Sequence, residues 1–229
     1  MKYHIEYDLD FKRNMGPGKY IVLEGVNACG KTTQVAKLKQ YFEEQGHEVV
    51  ITSEPNENQT IGKMVREIIT GNKKISRLAL QYLYTADRLS NYEEVIIPSL
   101  AKGKIVLASR NFWSAVVYGI VDMGKTNYTR ENTNLILASQ GILSMYSQCL
   151  IPDLTLYLRT DVETVLTRMD KMGGSRDIYE KREKLTQIIS GYDFVAKVFD
   201  KEIIEIDGNK LIDEVTKDIL KYTKRTLDI

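Results

Sequence analysis

The sequence predicts an α/β domain of three layers, a five-stranded parallel sheet flanked by helices on both faces. Three observations carry that prediction. From residue 19 onward, short apolar runs alternate with longer amphipathic stretches. The runs are β-branched and nearly continuously apolar, as strands covered on both faces tend to be. One of them, Tyr20-Ile21-Val22-Leu23-Glu24, leads into Gly25-Val26-Asn27-Ala28-Cys29-Gly30-Lys31-Thr32, a glycine-bounded loop set between a strand and a helix.

Taken in order, the expected strands are 20–24, 48–52, 104–108, 154–158 and 202–206. Helical stretches are expected at 31–45, 61–70, 77–102, 129–147, 161–171, 180–201 and 210–224, with Gly46, Gly71 and Gly103 where helices should stop. Residues 1–18 stand apart as an N-terminal extension. His4, Glu6 and Asp8 alternate with Ile5, Tyr7 and Leu9, a short strand or arm that Met15-Gly16-Pro17-Gly18 then breaks. Residues 19–229 form one domain, and no repeat or linker interrupts it.

At 229 residues and 43% hydrophobic content, the chain can bury a sizeable core. Its 32 basic and 31 acidic side chains leave a net charge of +1, which gives no electrostatic reason to expect nucleic-acid or membrane partners. Two cysteines are too few for a disulfide framework, and no run of 18 apolar residues is present. A soluble cytoplasmic protein is the expectation.

The glycine-bounded loop has a mechanism. Glycines let the backbone turn tightly and aim successive N–H groups at one anion, and the helix N-terminus adds its dipole. Gly25, Val26, Asn27, Ala28, Cys29, Gly30, Lys31, Thr32 and Thr33 are therefore expected to bind nucleotide phosphates. Lys31 would reach the β- and γ-phosphates, and the Thr32 hydroxyl would hold Mg²⁺. The alternative is a βα turn that binds nothing; a following helix with Val35, Leu38 and Phe42 on one face favours the binding loop.

In parallel sheets ligands sit beyond the carboxyl ends of the strands. After the second strand come Ser53-Glu54-Pro55 and then Arg66. The long third helix carries Tyr84-Thr85-Ala86-Asp87-Arg88, and the third strand is followed by Ser109-Arg110-Asn111-Phe112-Trp113-Ser114 and Tyr118-Gly119. Ile151-Pro152-Asp153 announces the fourth strand. This ordered set resembles the thymidylate kinase family, which phosphorylates dTMP from ATP, and the resemblance runs from about residue 19 to the C-terminus. It implies the P-loop NTPase fold with a small lid, at about residues 170–182, and a homodimer.

The spacing of Arg110, Ser114 and Tyr118 (i, i+4, i+8) puts them on one helix face. The resemblance implies that Arg110 contacts the acceptor phosphate and that Tyr118 lies under the sugar; a surface ion pair and a core tyrosine are the alternatives. It implies that Tyr84 stacks on the acceptor base and Arg88 reads its O4, against a helix in which Tyr84 is core and Arg88 pairs with Asp87 or Glu94. Glu54 would accept from arginines lining the acceptor site. Ala28 occupies a position where some members carry a catalytic arginine. The chain therefore resembles the members that supply it from the lid, with Arg176 and Arg182 as candidates and Lys171 behind them.

Departures from the pattern bear on the acceptor. Asn27 and Ser109 stand where the family has Asp, Ser53 where it has arginine, Asn56-Glu57 near two expected glycines, and Ala115 where an amide often reads the base. Arg66 is the expected substitute for the missing arginine. A deoxynucleoside kinase on the same scaffold and a silent nucleotide-binding relative remain alternatives to an ATP:dTMP phosphotransferase. His4 and His47 lack metal-ligand spacing.

Overall fold

The computed structural model describes residues 11–124, 141–173 and 177–227. The alternation of residues 4–9, the first part of the helix expected at 129–147, and Arg176 lie outside them.

Five parallel strands form the central sheet in the order β3-β4-β2-β6-β7: β2 (Lys19–Glu24), β3 (Val49–Ser53), β4 (Ile105–Ser109), β6 (Leu154–Arg159) and β7 (Ile203–Asp207). β2 lies at the centre, pairing with β4 on one side and β6 on the other. Its apolar residues Ile21, Val22 and Leu23 are wholly buried, which is why the run shows no polar alternation. Each observed strand lies within a residue or two of its expected position.

Helices α1 (Lys31–Glu44) and α8 (Ile212–Leu227) pack against one another on the sheet, and α5 (Phe112–Asp122) packs against α3 (Arg77–Asn91) and α7 (Arg182–Val198). α2 (Thr60–Ile69) lies against α3, and α6 (Val162–Met172) follows β6. Gly46, Gly71 and Gly103 each end a helix with φ between +76° and +86°, a conformation open to glycine without cost.

Two stretches differ from expectation. The helix expected over 77–102 opens into a π-turn at Tyr92–Ile96 before closing as α4 (Ile97–Ala101). Pro98 is the physical reason: it lacks an N–H, and its ring would crowd the Glu94 carbonyl in a regular helix. α5 lies outside the helical spans that periodicity marks, although the spacing of Ser114 and Tyr118 already places a helix there. Trp113, Val116, Val117, Ile120 and Val121 are all buried, so the segment has little polar stripe to reveal its period.

The extension does not join the main sheet. β1 (Lys12–Arg13) pairs with β5 (Leu150–Ile151) in a separate two-stranded sheet. Phe11 packs against Phe112, Trp113 and Phe199, so Trp113 belongs to an aromatic cluster and not to a cleft.

Candidate active site

β2 delivers the chain to Gly25, at φ +136°. A Cβ there would stand 2.8 Å from the Cys29 sulfur and 2.9 Å from the Leu158 carbonyl oxygen, so only glycine lets the loop turn this close to β6. Ala28 (φ +59°) and Gly30 (φ +112°) add the left-handed turns from which anion-binding nests are made, and α1 begins at Lys31. The Lys31 ammonium is buried and donates to the carbonyls of Gly25 (3.0 Å) and Val26 (2.7 Å). Burial, with the like charge of Arg110 adding, lowers its pKa to about 8.

Two clefts meet across this loop. One, of about 970 Å³, is lined by Ala28, Cys29, Gly30, Lys31, Thr32 and Thr33, and by Arg168, Lys171 and Lys210. Its charged lining residues are all cationic. Arg168, which the sequence reading overlooked, reaches from α6 to the carbonyls of Cys29 (3.2 Å) and Gly208 (2.8 Å). The other cleft, of about 490 Å³, is lined by Asn27, Glu54, Arg66, Gln81, Tyr84, Arg88, Arg110, Ser114, Ala115, Tyr118, Asp177 and Tyr179, among others.

Arg110 stands in the left-handed region (φ +80°), at a cost of about 1–2 kcal/mol for a residue with a side chain. It precedes α5 and does not lie on it, so the helical spacing drawn through Arg110, Ser114 and Tyr118 holds only for the last two. Its guanidinium donates to Asn27 Oδ1 (2.8 Å) and the Tyr192 hydroxyl (3.0 Å), and sits over the Tyr118 ring at 5.1 Å. Glu24, buried at the end of β2, fixes this turn. One of its oxygens accepts from the backbone N–H groups of Asn111 (2.8 Å) and Ser114 (3.3 Å). The other accepts from the hydroxyls of Ser114 (2.6 Å) and Tyr192 (2.9 Å). Glu24 and Tyr192 gave no sequence signal beyond their place at a strand end and on a helix.

Arg88 pairs with neither Asp87 nor Glu94. It donates to Glu54 and to the Tyr146 hydroxyl (2.7 Å), with all but a few per cent of the pair out of solvent. Burial pushes the Glu54 carboxyl above the usual range, and the Arg88 guanidinium pulls it back. Arg66 lines the cleft beside Tyr84 but is itself engaged by Glu57 (2.6 Å) at the surface.

Of the segment expected to be a lid, the described residues 177–180 lie at the smaller cleft, where Asn27 Nδ2 donates to Asp177 (3.0 Å) and Glu180 (2.7 Å). Tyr179 packs edge-on against Tyr118 and donates to Asp122 (2.7 Å). Arg182 points away, paired with Glu163 and exposed, and lines neither cleft. The reason is local: carboxylates, not arginines, find the Asn27 amide, and Arg182 opens α7 beside Glu163.

Comparison with known proteins decides the family. The thymidylate kinase family model matches residues 23–219. The thymidylate kinase of Thermoanaerobacter sp. strain X514 is 33% identical over 211 residues, 92% of this chain and 99% of that protein. The probable thymidylate kinase of Pyrococcus horikoshii is 31% identical over 216 residues, 92% and 98% of the two chains. The chain belongs to the thymidylate kinase family. It is a nucleotide kinase, and the solved thymidylate kinase structure from Candida albicans shares its fold, with a TM-score of 0.73 at 23% identity over 91% of this chain and 92% of that one.

Against the thymidylate kinase pattern, the departures now have surroundings. Asn27 bridges Arg110 to the carboxylates of Asp177 and Glu180, which an aspartate would repel. Asn56 is buried, with its N–H on Asp87 (3.0 Å) and its amide on Asn91 (3.0 Å), filling space that glycines would leave. Ser53 is exposed at the end of β3 and lines neither cleft.

Proposed function

We propose that this chain transfers the γ-phosphoryl group of ATP to dTMP, giving ADP and dTDP, across the loop that its two clefts share. The observation that carries the reading is that Asn27 lines the smaller cleft while its neighbours Ala28 through Thr33 line the larger one. A nucleotide on each side would bring its terminal phosphate to the same backbone.

ATP takes the cationic cleft, its β- and γ-phosphates on the loop N–H groups and Lys31. The monophosphate takes the other, its phosphate on Arg110, with Arg66 at the rim, its sugar over Tyr118 and its base on Tyr84 beside Arg88. A phosphate oxygen of dTMP attacks the γ-phosphorus, and the bond to the β,γ-bridging oxygen breaks. Lys31 and Arg110 stabilise the charge that spreads over the transferring group. The fit to Mg²⁺ is limited: Thr32 is the hydroxyl that the loop pattern assigns to it, and Glu24 has all its capacity committed to four donors. Mg²⁺ would sit mainly on phosphate oxygens and water, as it commonly does, neutralising phosphate charge.

Two further parts complete the reading. Exposed Ile51, Met64, Leu78 and Tyr82 on β3, α2 and α3 offer apolar surface for a homodimer. Free Cys29 and Cys149 and a near-neutral net charge suit a cytoplasmic enzyme with small-molecule partners rather than nucleic acid. No helix among the described residues is long and apolar enough to cross a membrane.

The test is an acceptor panel with ATP, scored as ADP release above a Lys31→Ala control. dTMP should be the preferred acceptor and thymidine inert. Turnover of thymidine without dTMP would make this a nucleoside kinase, and turnover of no acceptor would make it a silent relative.

A further inference from the structure

Gln81 is 2% exposed, yet it lines the acceptor cleft alongside Tyr84, Arg88 and Ala115. It lies on α3 at i−3 from Tyr84 and i−7 from Arg88, so the three share one helix face. A long polar side chain buried in the wall of a cleft needs partners for both ends of its amide.

One end is accounted for. Gln81 Nε2 donates to Asp122 Oδ2 at 2.9 Å. Asp122 also receives the Tyr179 hydroxyl (2.7 Å) and Arg77 (3.1 Å), so its position is fixed from three sides. A carboxylate accepts and does not donate, so the amide must present nitrogen to it and oxygen elsewhere. That oxygen, Oε1, accepts from no group among the described residues. It lies beside α5, where a Cβ on Gly119 would stand 3.4 Å from it, one helical turn beyond Ala115. Ala115 brings only a methyl group to this wall.

We propose that Gln81 is a specificity-determining residue for the acceptor base: its Oε1 accepts the N3–H of the pyrimidine while Arg88 donates to the adjacent carbonyl. The inference rests on dTMP being the acceptor and adds the residue that reads its imide edge. A fixed acceptor next to a fixed donor matches the N3–H and O4 of thymine. Cytosine presents the reverse, a bare N3 beside an amino group, and leaves both Gln81 and Arg88 facing groups of their own kind. Tyr179 takes part indirectly, because it helps hold the Asp122 carboxylate that sets the direction of the amide.

The experiment measures kcat/KM for dTMP, dCMP and 3-methylthymidine 5′-monophosphate in wild type and Gln81→Met, which keeps the length and removes both polar ends. Wild type should prefer dTMP over the 3-methyl acceptor by ~10²-fold or more, the scale expected when a buried acceptor loses its N–H and meets a methyl. Gln81→Met should cut kcat/KM for dTMP by roughly tenfold while leaving the 3-methyl acceptor unchanged or improved, so the preference collapses. If Gln81→Met lowers both acceptors in proportion, the residue is only a support for Asp122 and the proposal falls. If wild type itself turns over the 3-methyl acceptor as well as dTMP, nothing reads N3–H and the proposal falls without any variant, while the dTMP kinase reading stands. If wild type turns over no dTMP, both fall.

Discussion

Arg110 joins more of the site than any other side chain: it touches the phosphate loop through Asn27, α7 through Tyr192 and α5 through the Tyr118 ring. Arg110→Ala should lower kcat by on the order of 10²–10³-fold with little change in unfolding midpoint, as loss of a group that acts on developing charge does. Steady-state kinetics beside urea denaturation checks it. Glu54→Ala should do the opposite kind of damage. It leaves the Arg88 guanidinium buried without its carboxylate, at a cost of about 3–5 kcal/mol in urea unfolding. Arg182→Ala, which breaks an exposed pair, should leave the midpoint unchanged. Lys31 makes a pH prediction. Its folded pKa of about 8 lies below the ordinary 10.5, so in the free protein the ammonium that phosphate binding needs is lost as pH rises through about 8. kcat/KM for ATP should fall there, while kcat persists to higher pH because bound phosphate favours the charged form. For stability the sign is reversed: between about 8 and 10.5 the unfolded chain binds more protons, so the contribution of Lys31 rises with pH across that window.

At the scale of elements, residues 177–180 and the phosphate loop are one hydrogen-bonded unit through Asn27. Its amide is neutral and both donates and accepts, which lets Arg110 on one side and two carboxylates on the other share it. Asn27→Asp should place a third carboxylate beside Asp177 and Glu180 and remove two hydrogen bonds, weakening this contact by about 1–3 kcal/mol. Amide hydrogen exchange over residues 177–182 should then speed up, most at low salt where like charges repel furthest. Exchange unchanged from wild type would mean that Tyr179 on Asp122 holds this segment by itself.

For the whole molecule, the sheet was legible because buried parallel strands announce themselves as apolar runs, and the phosphate loop because its glycines and Lys31 have a fixed spacing. Tyr84 and Arg88 were legible as one turn of an amphipathic helix. What the sequence did not disclose depends on contacts between distant segments. Glu24 reads as the last residue of a strand until Asn111, Ser114 and Tyr192 converge on it. The left-handed turn at Arg110 gives no local signal, because no glycine marks it. Gln81 reads as any helical polar residue until Asp122 fixes its amide. Residues 177–180 lie at the smaller cleft because of Asn27, a partner 150 residues away in the chain.

The central claim is that both nucleotides meet on one loop, and a single ligand can test it: adenosine and thymidine joined through their 5′ oxygens by a polyphosphate chain. Calorimetric titration should show it binding far more tightly than ATP or dTMP alone, since one molecule would fill both clefts at once. It should compete with each nucleotide, and Arg110→Ala should weaken it. If it binds no better than ATP and leaves dTMP binding untouched, the clefts do not share the loop and the account is contradicted.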